Sequence, residues 1–177
     1  GLGDVYKRQE GSGTSELFYL HMAQHRLDMD VIYIKPARVG DLAWLDENGN
    51  GLVDEGEPGI PGITVRLMQD GEAVYETVTD AYGYYLFTDV YPGAYTLTAQ
   101  AYPELTSTRQ VEALRIISSC LVGGDGTEAH SDSFEVESGS LNVNFDLGYL
   151  LREGESLPSA ITAPPTRDWT ISNTKAE

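Results

Sequence analysis

The chain has 177 residues and a formal net charge of -17, which suits one domain of ordinary size with flanking pieces and excludes two complete domains. So acidic a surface repels phosphate backbones and anionic lipid, so nucleic acid is excluded as a natural partner, and it attracts cations. The single cysteine, Cys120, excludes an internal disulfide framework, and no apolar run reaches the roughly 18 residues that a membrane helix needs.

Residues 1–9 contain Asp4-Val5-Tyr6-Lys7-Arg8-Gln9, which resembles the translated transposon end left by sequencing-library preparation, and are read as an adapter scar outside the fold. Residues 10–37 begin with a polar Glu-Gly-Ser-Gly-Thr-Ser stretch, and Leu17 to His25 is compatible with a short helix or a strand. Leu27-Asp28-Met29-Asp30-Val31-Ile32-Tyr33-Ile34 then has the pattern of a terminal strand, ended by Lys35-Pro36. Near the other end, Val143-Asn144-Phe145-Asp146-Leu147-Gly148-Tyr149-Leu150 echoes that strand, with Asp and Tyr at matching offsets. Residues 10–37 are therefore expected to be the tail of a preceding repeat, and residues 38–151 a full copy.

Within that copy, turn residues recur at short intervals. The expected strands are Val39 to Leu45, Ile63 to Met68, Ala73 to Thr79, Tyr84 to Thr88, Ala94 to Ala101, Phe134 to Glu137 and Leu141 to Leu151. Asp70-Gly71 between two alternating runs is a strong hairpin signal. Ile63, Val65 and Leu67 share one face, as do Tyr95, Leu97 and Ala99. Residues 102–131 are less regular, with Val111, Leu114, Ile116 and Leu121 leaving a strand and a single helical turn both open. The pattern describes an all-β sandwich or barrel. Residues 152–177, with Pro158, Pro164 and Pro165, read as a linker, and Trp169-Thr170-Ile171 as the start of a following segment.

One motif carries chemistry. Asp46-Glu47-Asn48-Gly49-Asn50-Gly51-Leu52-Val53-Asp54-Glu55-Gly56-Glu57 meets every fixed position of the EF-hand-like calcium loop. A hard cation takes six to eight oxygens, so the expected ligands are the Asp46, Asn48 and Asn50 side chains, the Leu52 carbonyl, Asp54 directly or through water, and both oxygens of Glu57. The flanks do not suit helices: Val39 to Leu45 alternates, and Pro58-Gly59-Ile60-Pro61-Gly62 stops a helix at once. A calcium loop joining two strands is expected, with affinity between about micromolar and millimolar because two side-chain ligands are neutral.

These residues resemble the SdrD B-like domains of bacterial surface adhesins, within the wider Cna B-like, prealbumin-like class. The resemblance is carried by Val39-Gly40-Asp41 with Trp44, by the 46–57 loop and by Gly59-Ile60-Pro61-Gly62-Ile63-Thr64-Val65-Arg66-Leu67. Thr79-Asp80 with Gly83, Tyr85 and Phe87, then Tyr91-Pro92-Gly93-Ala94-Tyr95 and Asn144-Phe145-Asp146-Leu147-Gly148-Tyr149, complete it. It implies an immunoglobulin-like (prealbumin-like) β-sandwich used in tandem as a stalk, exported and held at the cell wall, with neighbouring repeats as its partners. Many members of the wider class form a Lys-Asn isopeptide bond assisted by a buried acid. Here Ala99 stands where that acid is expected and no lysine lies between Lys35 and Lys175, so no such bond is expected.

Other constellations are weaker. His21 and His25 have metal-ligand spacing on a helix, but Met22-Ala23-Gln24 supplies no glutamate base. Cys120 is expected to be a buried small residue, not a nucleophile. Ser118, Ser119, His130 and Asp132 invite a hydrolase reading that lacks a Gly-x-Ser-x-Gly elbow. Tyrosines at 82, 84, 85, 91, 95 and 102 offer core packing first and a recognition strip second. The expected function is thus a calcium-binding structural repeat without enzymatic activity. The alternatives are a module that recognises a host protein or glycan, and an accessory module of a secreted enzyme.

Overall fold

The computed structural model describes residues 34–111, 118–124 and 127–161. The strand expected at 27–34 as the tail of a preceding repeat, His21, His25, Leu114, Ile116 and the segment at 169–171 lie wholly or largely outside the described residues.

β1 (Ala37–Leu45) organises the first sheet. β4 (Tyr84–Val90) runs antiparallel along one of its sides, Val39 opposite Phe87 and Leu42 opposite Tyr84. On its other side β10 (Leu141–Asn142) and β11 (Leu147–Leu151) follow one another, both parallel to β1. β6 (Leu105–Ser107) closes this sheet against β11. In the second sheet β2 (Thr64–Gln69) lies between β3 (Glu72–Val78) and β5 (Gly93–Gln100). Beyond β5 come β8 (Glu128–Ser131) and β9 (Phe134–Val136), and β7 (Leu121–Gly124) pairs with β8. Among the described residues every regular element is a strand, and the expected all-β sandwich is the observed architecture.

Alternation explains the packing. Val65 and Leu67 of β2 and Tyr95, Leu97 and Ala99 of β5 meet Val39, Ala43, Tyr85, Phe87, Leu147 and Tyr149 of the opposite sheet in one buried core. The β2–β3 hairpin turns on Asp70-Gly71, with φ of 53° and 84°, the left-handed pair that a two-residue type I′ turn needs. Ala99, where the acid of an isopeptide site is expected, is fully buried between Val65 and Ala129, whereas Lys35 is exposed. The intact mass is therefore expected to equal the sequence mass, and a loss of one ammonia by mass spectrometry would refute this.

Three differences from the sequence reading have physical causes. β6, β7 and β8 occupy the stretch that looked irregular. β8 buries only Ala129 and Ser131, so no large apolar residue marks it, and the Ser131 hydroxyl instead accepts the Leu97 N–H at 2.9 Å. The closing run from Leu141 to Leu151 is interrupted at 143–146, where Phe145 leaves the ladder to pack on Phe134 with ring centroids 4.1 Å apart. Finally, the described part of the expected linker, residues 152–161, is held against the sandwich. Arg152 N–H donates to the Glu104 carbonyl at 2.8 Å, its Nε–H donates to the Leu105 carbonyl at 2.8 Å, and Ile161 is fully buried in the core.

Candidate metal centre

At its end β1 is buried on both faces. Ala43 and Leu45 face the core, while Leu42 and Trp44 point to the opposite face of the sheet and are buried there too. What covers them is the loop that follows: Val53 packs on Leu42 and Trp44, with Tyr84 half-buried at the rim. An apolar side chain in the middle of a polar loop is thus an anchor, and burial of an aliphatic side chain of this kind contributes roughly 1.5–3 kcal/mol. The indole of Trp44 lies across β11, where a Cβ on Gly148 would come within 2.6 Å of the ring and 2.4 Å of the Thr108 methyl. Only glycine leaves that space.

The loop leaves and rejoins β1. Leu45 N–H donates to the Pro58 carbonyl at 2.9 Å, and Ile60 N–H to the Ala43 carbonyl at 2.8 Å, so the chain returns as an extended segment beside the strand it left. Asp46 N–H donates to the Tyr149 carbonyl of β11 at 2.8 Å. The loop therefore sits where the ends of β1 and β11 meet.

Asp46 is only 1 % exposed, and its carboxylate organises the turn. Oδ1 accepts the N–H groups of Gly49 and Asn50 at 2.8 and 3.2 Å, and Oδ2 accepts the Gly51 N–H at 2.8 Å and the Thr108 hydroxyl at 2.5 Å. Gly51 has φ of +82°, and a Cβ there would lie 2.4 Å from the Arg109 carbonyl. Asn48 and Asn50 both turn toward Asp54, their amide N–H groups donating to its Oδ2 at 2.7 and 2.6 Å. Their own oxygens accept the N–H of Asn50 at 2.9 Å and of Leu52 at 2.7 Å. Glu57 accepts the Glu47 N–H on Oε1 and the Asp54 N–H on Oε2, each at 3.0 Å. Its pKa is raised by burial and by the nearby carboxylates of Asp46 and Asp54, against the lowering effect of the two backbone donors.

The six expected ligand residues are thus gathered in one turn, but they are engaged with one another and with the backbone. Among the described residues no three His, Cys, Asp or Glu side chains converge as a ready-made ion cage. The donor set nevertheless fits a hard cation. It offers carboxylate and amide oxygens, with no sulfur or imidazole. Three of the expected ligands, Asp46, Asp54 and Glu57, are acids, and none of these is ion-paired to a basic side chain among the described residues.

Several supports of the loop were not visible as such in the sequence. Besides Thr108, Arg109 donates from Nε to the Asn50 carbonyl at 3.1 Å, and Leu52 forms an isolated antiparallel bridge with Ser118. Val53 had a readable signal, its apolar character; Thr108 had none, because its role depends on a contact across 62 positions.

The hydrolase constellation does not assemble into chemistry. Ser118 and Ser119 are both 1 % exposed. The Ser118 Oγ accepts the Val111 N–H at 2.7 Å and the Ser119 Oγ accepts the Gly148 N–H at 3.2 Å, while His130 and Asp132 are exposed. Burial, with the Asp146 carboxylate beside it, pushes the Cys120 thiol well above its ordinary pKa, the opposite of what a nucleophile needs. The tyrosines divide rather than line up. Tyr85 and Tyr95 are buried, Tyr84 and Tyr102 half-buried, and the exposed Tyr82 and Tyr91 stand at opposite ends of β4.

Comparison with known proteins bears on the whole module. The family model of the SdrD B-like domain matches residues 37–149. Serine-aspartate repeat-containing protein D of Staphylococcus aureus is 36% identical over 104 residues, covering 56% of this chain and 8% of that protein. Colossin-B of Dictyostelium discoideum is 40% identical over 75 residues, covering 37% of this chain and 2% of that protein. The chain thus spans a small fraction of the length of the curated relatives it matches. Among solved structures, a minor pilin of Streptococcus agalactiae is 15% identical with a TM-score of 0.38, covering 72% of this chain and 50% of that one.

Proposed function

Because the chain belongs to the SdrD B-like domain family, we propose that it is a calcium-binding structural repeat, a spacer in the stalk of an extracellular, wall-attached surface adhesin, with adjacent repeats as its partners and no enzymatic role. One observation carries the spacer reading. The first and last long strands, β1 and β11, are neighbours and parallel, with Ala43 opposite Leu147 and Leu45 opposite Tyr149. The chain therefore comes in at one pole of the sandwich and passes the opposite pole as β11 ends. Copies joined in series line up end to end, each adding roughly the length of a nine-residue strand, about 30 Å. Tension on such a series pulls β1 and β11 in opposite directions along their shared ladder, and the 46–57 loop bridges them at the far pole.

Asp46, Asn48, Asn50, the Leu52 carbonyl, Asp54 and Glu57 would hold the ion. Calcium there supplies the positive charge that three crowded acids lack and replaces internal hydrogen bonds with stronger ion–oxygen contacts. An ion bound only by the folded form adds about 2.7 kcal/mol at a hundredfold excess over its dissociation constant. A melting temperature several degrees higher in millimolar calcium than in chelator is the expected result, and superimposable melting curves would sink the calcium reading.

A further inference from the structure

We infer that Thr108 is a positioning residue of the metal centre, and that through it occupancy of the 46–57 loop is coupled to the pairing of β6 with β11. The inference rests on the calcium reading and extends it to a residue outside the loop.

The Thr108 hydroxyl donates to Asp46 Oδ2 at 2.5 Å, the shortest of the four hydrogen bonds to that carboxylate, and both residues are buried, at 3 % and 1 % exposure. Thr108 is itself fixed. Its N–H donates to the Gly148 carbonyl at 2.8 Å, continuing the β6–β11 ladder by one residue, and its methyl occupies the space that a side chain on Gly148 would need. Asp46 is held to the same strand, by its N–H on the Tyr149 carbonyl at 2.8 Å. Asp46, Thr108 and the Gly148–Tyr149 backbone form a closed triangle.

The two carboxylate oxygens of Asp46 are consequently unlike. Oδ2 accepts from Thr108, outside the loop, as well as from the Gly51 N–H, while both donors to Oδ1 are backbone N–H groups of the loop. Holding Oδ2 fixes the carboxylate plane and with it the direction of Oδ1, which the Gly49 and Asn50 N–H groups tie to the ligand loop. Outer partners that orient a ligand in this way typically change metal affinity by 10–100-fold when removed. By reciprocity, an ion held by Asp46 would strengthen the Thr108 contact and with it the β6–β11 ladder.

The test uses the isosteric Thr108→Val, which deletes the hydroxyl and keeps the shape, and Thr108→Ser, which restores it. Calcium titration by calorimetry on the wild type, Thr108→Val and Thr108→Ser is expected to give at least tenfold weaker binding for the valine variant, with serine within about threefold of wild type. The calcium-dependent part of the melting shift should shrink in parallel. A valine variant that melts lower in chelator yet binds calcium as tightly as wild type would overturn the inference and leave Thr108 a purely structural residue. A wild type that shows no binding would instead remove the calcium reading itself. If Thr108→Val does not fold, hydrogen exchange on the wild type decides: calcium should slow the Thr108 amide more than that of Glu76 in the β2–β3 hairpin, and equal slowing overturns the coupling.

Discussion

Replacing Ile161 with alanine is expected to lower the stability of the module by about 2–4 kcal/mol, read as a fall in the urea midpoint with an unchanged slope. The position lies ten residues beyond the end of β11, in a stretch whose prolines suggest a linker, yet its side chain is fully buried among residues of both sheets. The approach is fixed at two points. Arg152 is bonded to the Glu104 and Leu105 carbonyls beside β6, and Ile161 N–H donates to the Pro158 carbonyl at 2.8 Å, a turn that aims the side chain inward. Leu157, half-buried, packs against the same core on the way. Truncation to alanine leaves a cavity that fixed strands cannot fill, and Ile161→Asp places an unpaired charge there, so that variant should not fold at all. The exposed Val122 serves as a control, because Val122→Ala should cost no more than about 0.5 kcal/mol. A loss that small at Ile161 would mean that the segment does not seal the core. The result also bears on how a repeat array is built, since a strap that closes the core of one copy shortens the free chain before the next.

How far the sequence spoke depended on whether the signal was local. β2, β3, β4 and β5 were legible because alternation and turn chemistry sit within a few residues of each other, as in Thr64–Gln69, Asp70-Gly71 and Glu72–Val78. β8 was not, because its inward residues are Ala129 and Ser131 and its stability comes from β5, some 30 positions earlier. The same division runs through the candidate site. The spacing of Asp46, Asn48, Asn50, Asp54 and Glu57 is written in twelve consecutive residues. The partner that fixes Asp46, and the glycine that lets Trp44 and Thr108 approach β11, became visible only when three distant segments were placed side by side. Ile161 was hidden for a related reason. The short run Leu157-Pro158-Ser159-Ala160-Ile161-Thr162-Ala163, bounded and broken by prolines, is too brief to establish a strand or helix period, so nothing local distinguishes a core plug from a linker side chain.

Asp46→Ala is expected to be the most damaging single change in the loop, and to be damaging in chelator as well as in calcium. Three backbone N–H groups and the Thr108 hydroxyl converge on this carboxylate in a site that is 1 % exposed. Removing the acceptor leaves each of them to find water in a turn whose geometry was set by it. An unsatisfied buried donor costs about 1–3 kcal/mol, and since Gly49 and Asn50 are half-exposed and can be resolvated, a total of about 3–5 kcal/mol is expected. Asp46→Asn separates the two roles. Its amide oxygen can still accept from part of this set, so stability in chelator should fall by about half as much, while the missing negative charge should abolish the calcium-dependent rise in melting temperature. The outcome that would count against this arrangement is an alanine variant as stable as wild type in chelator, because the loop would then be held by Val53 and the Pro58–Ile60 return alone. Should both variants keep the full calcium response, the ion would have to be bound elsewhere, and the twelve-residue spacing would be a turn motif with no ligand.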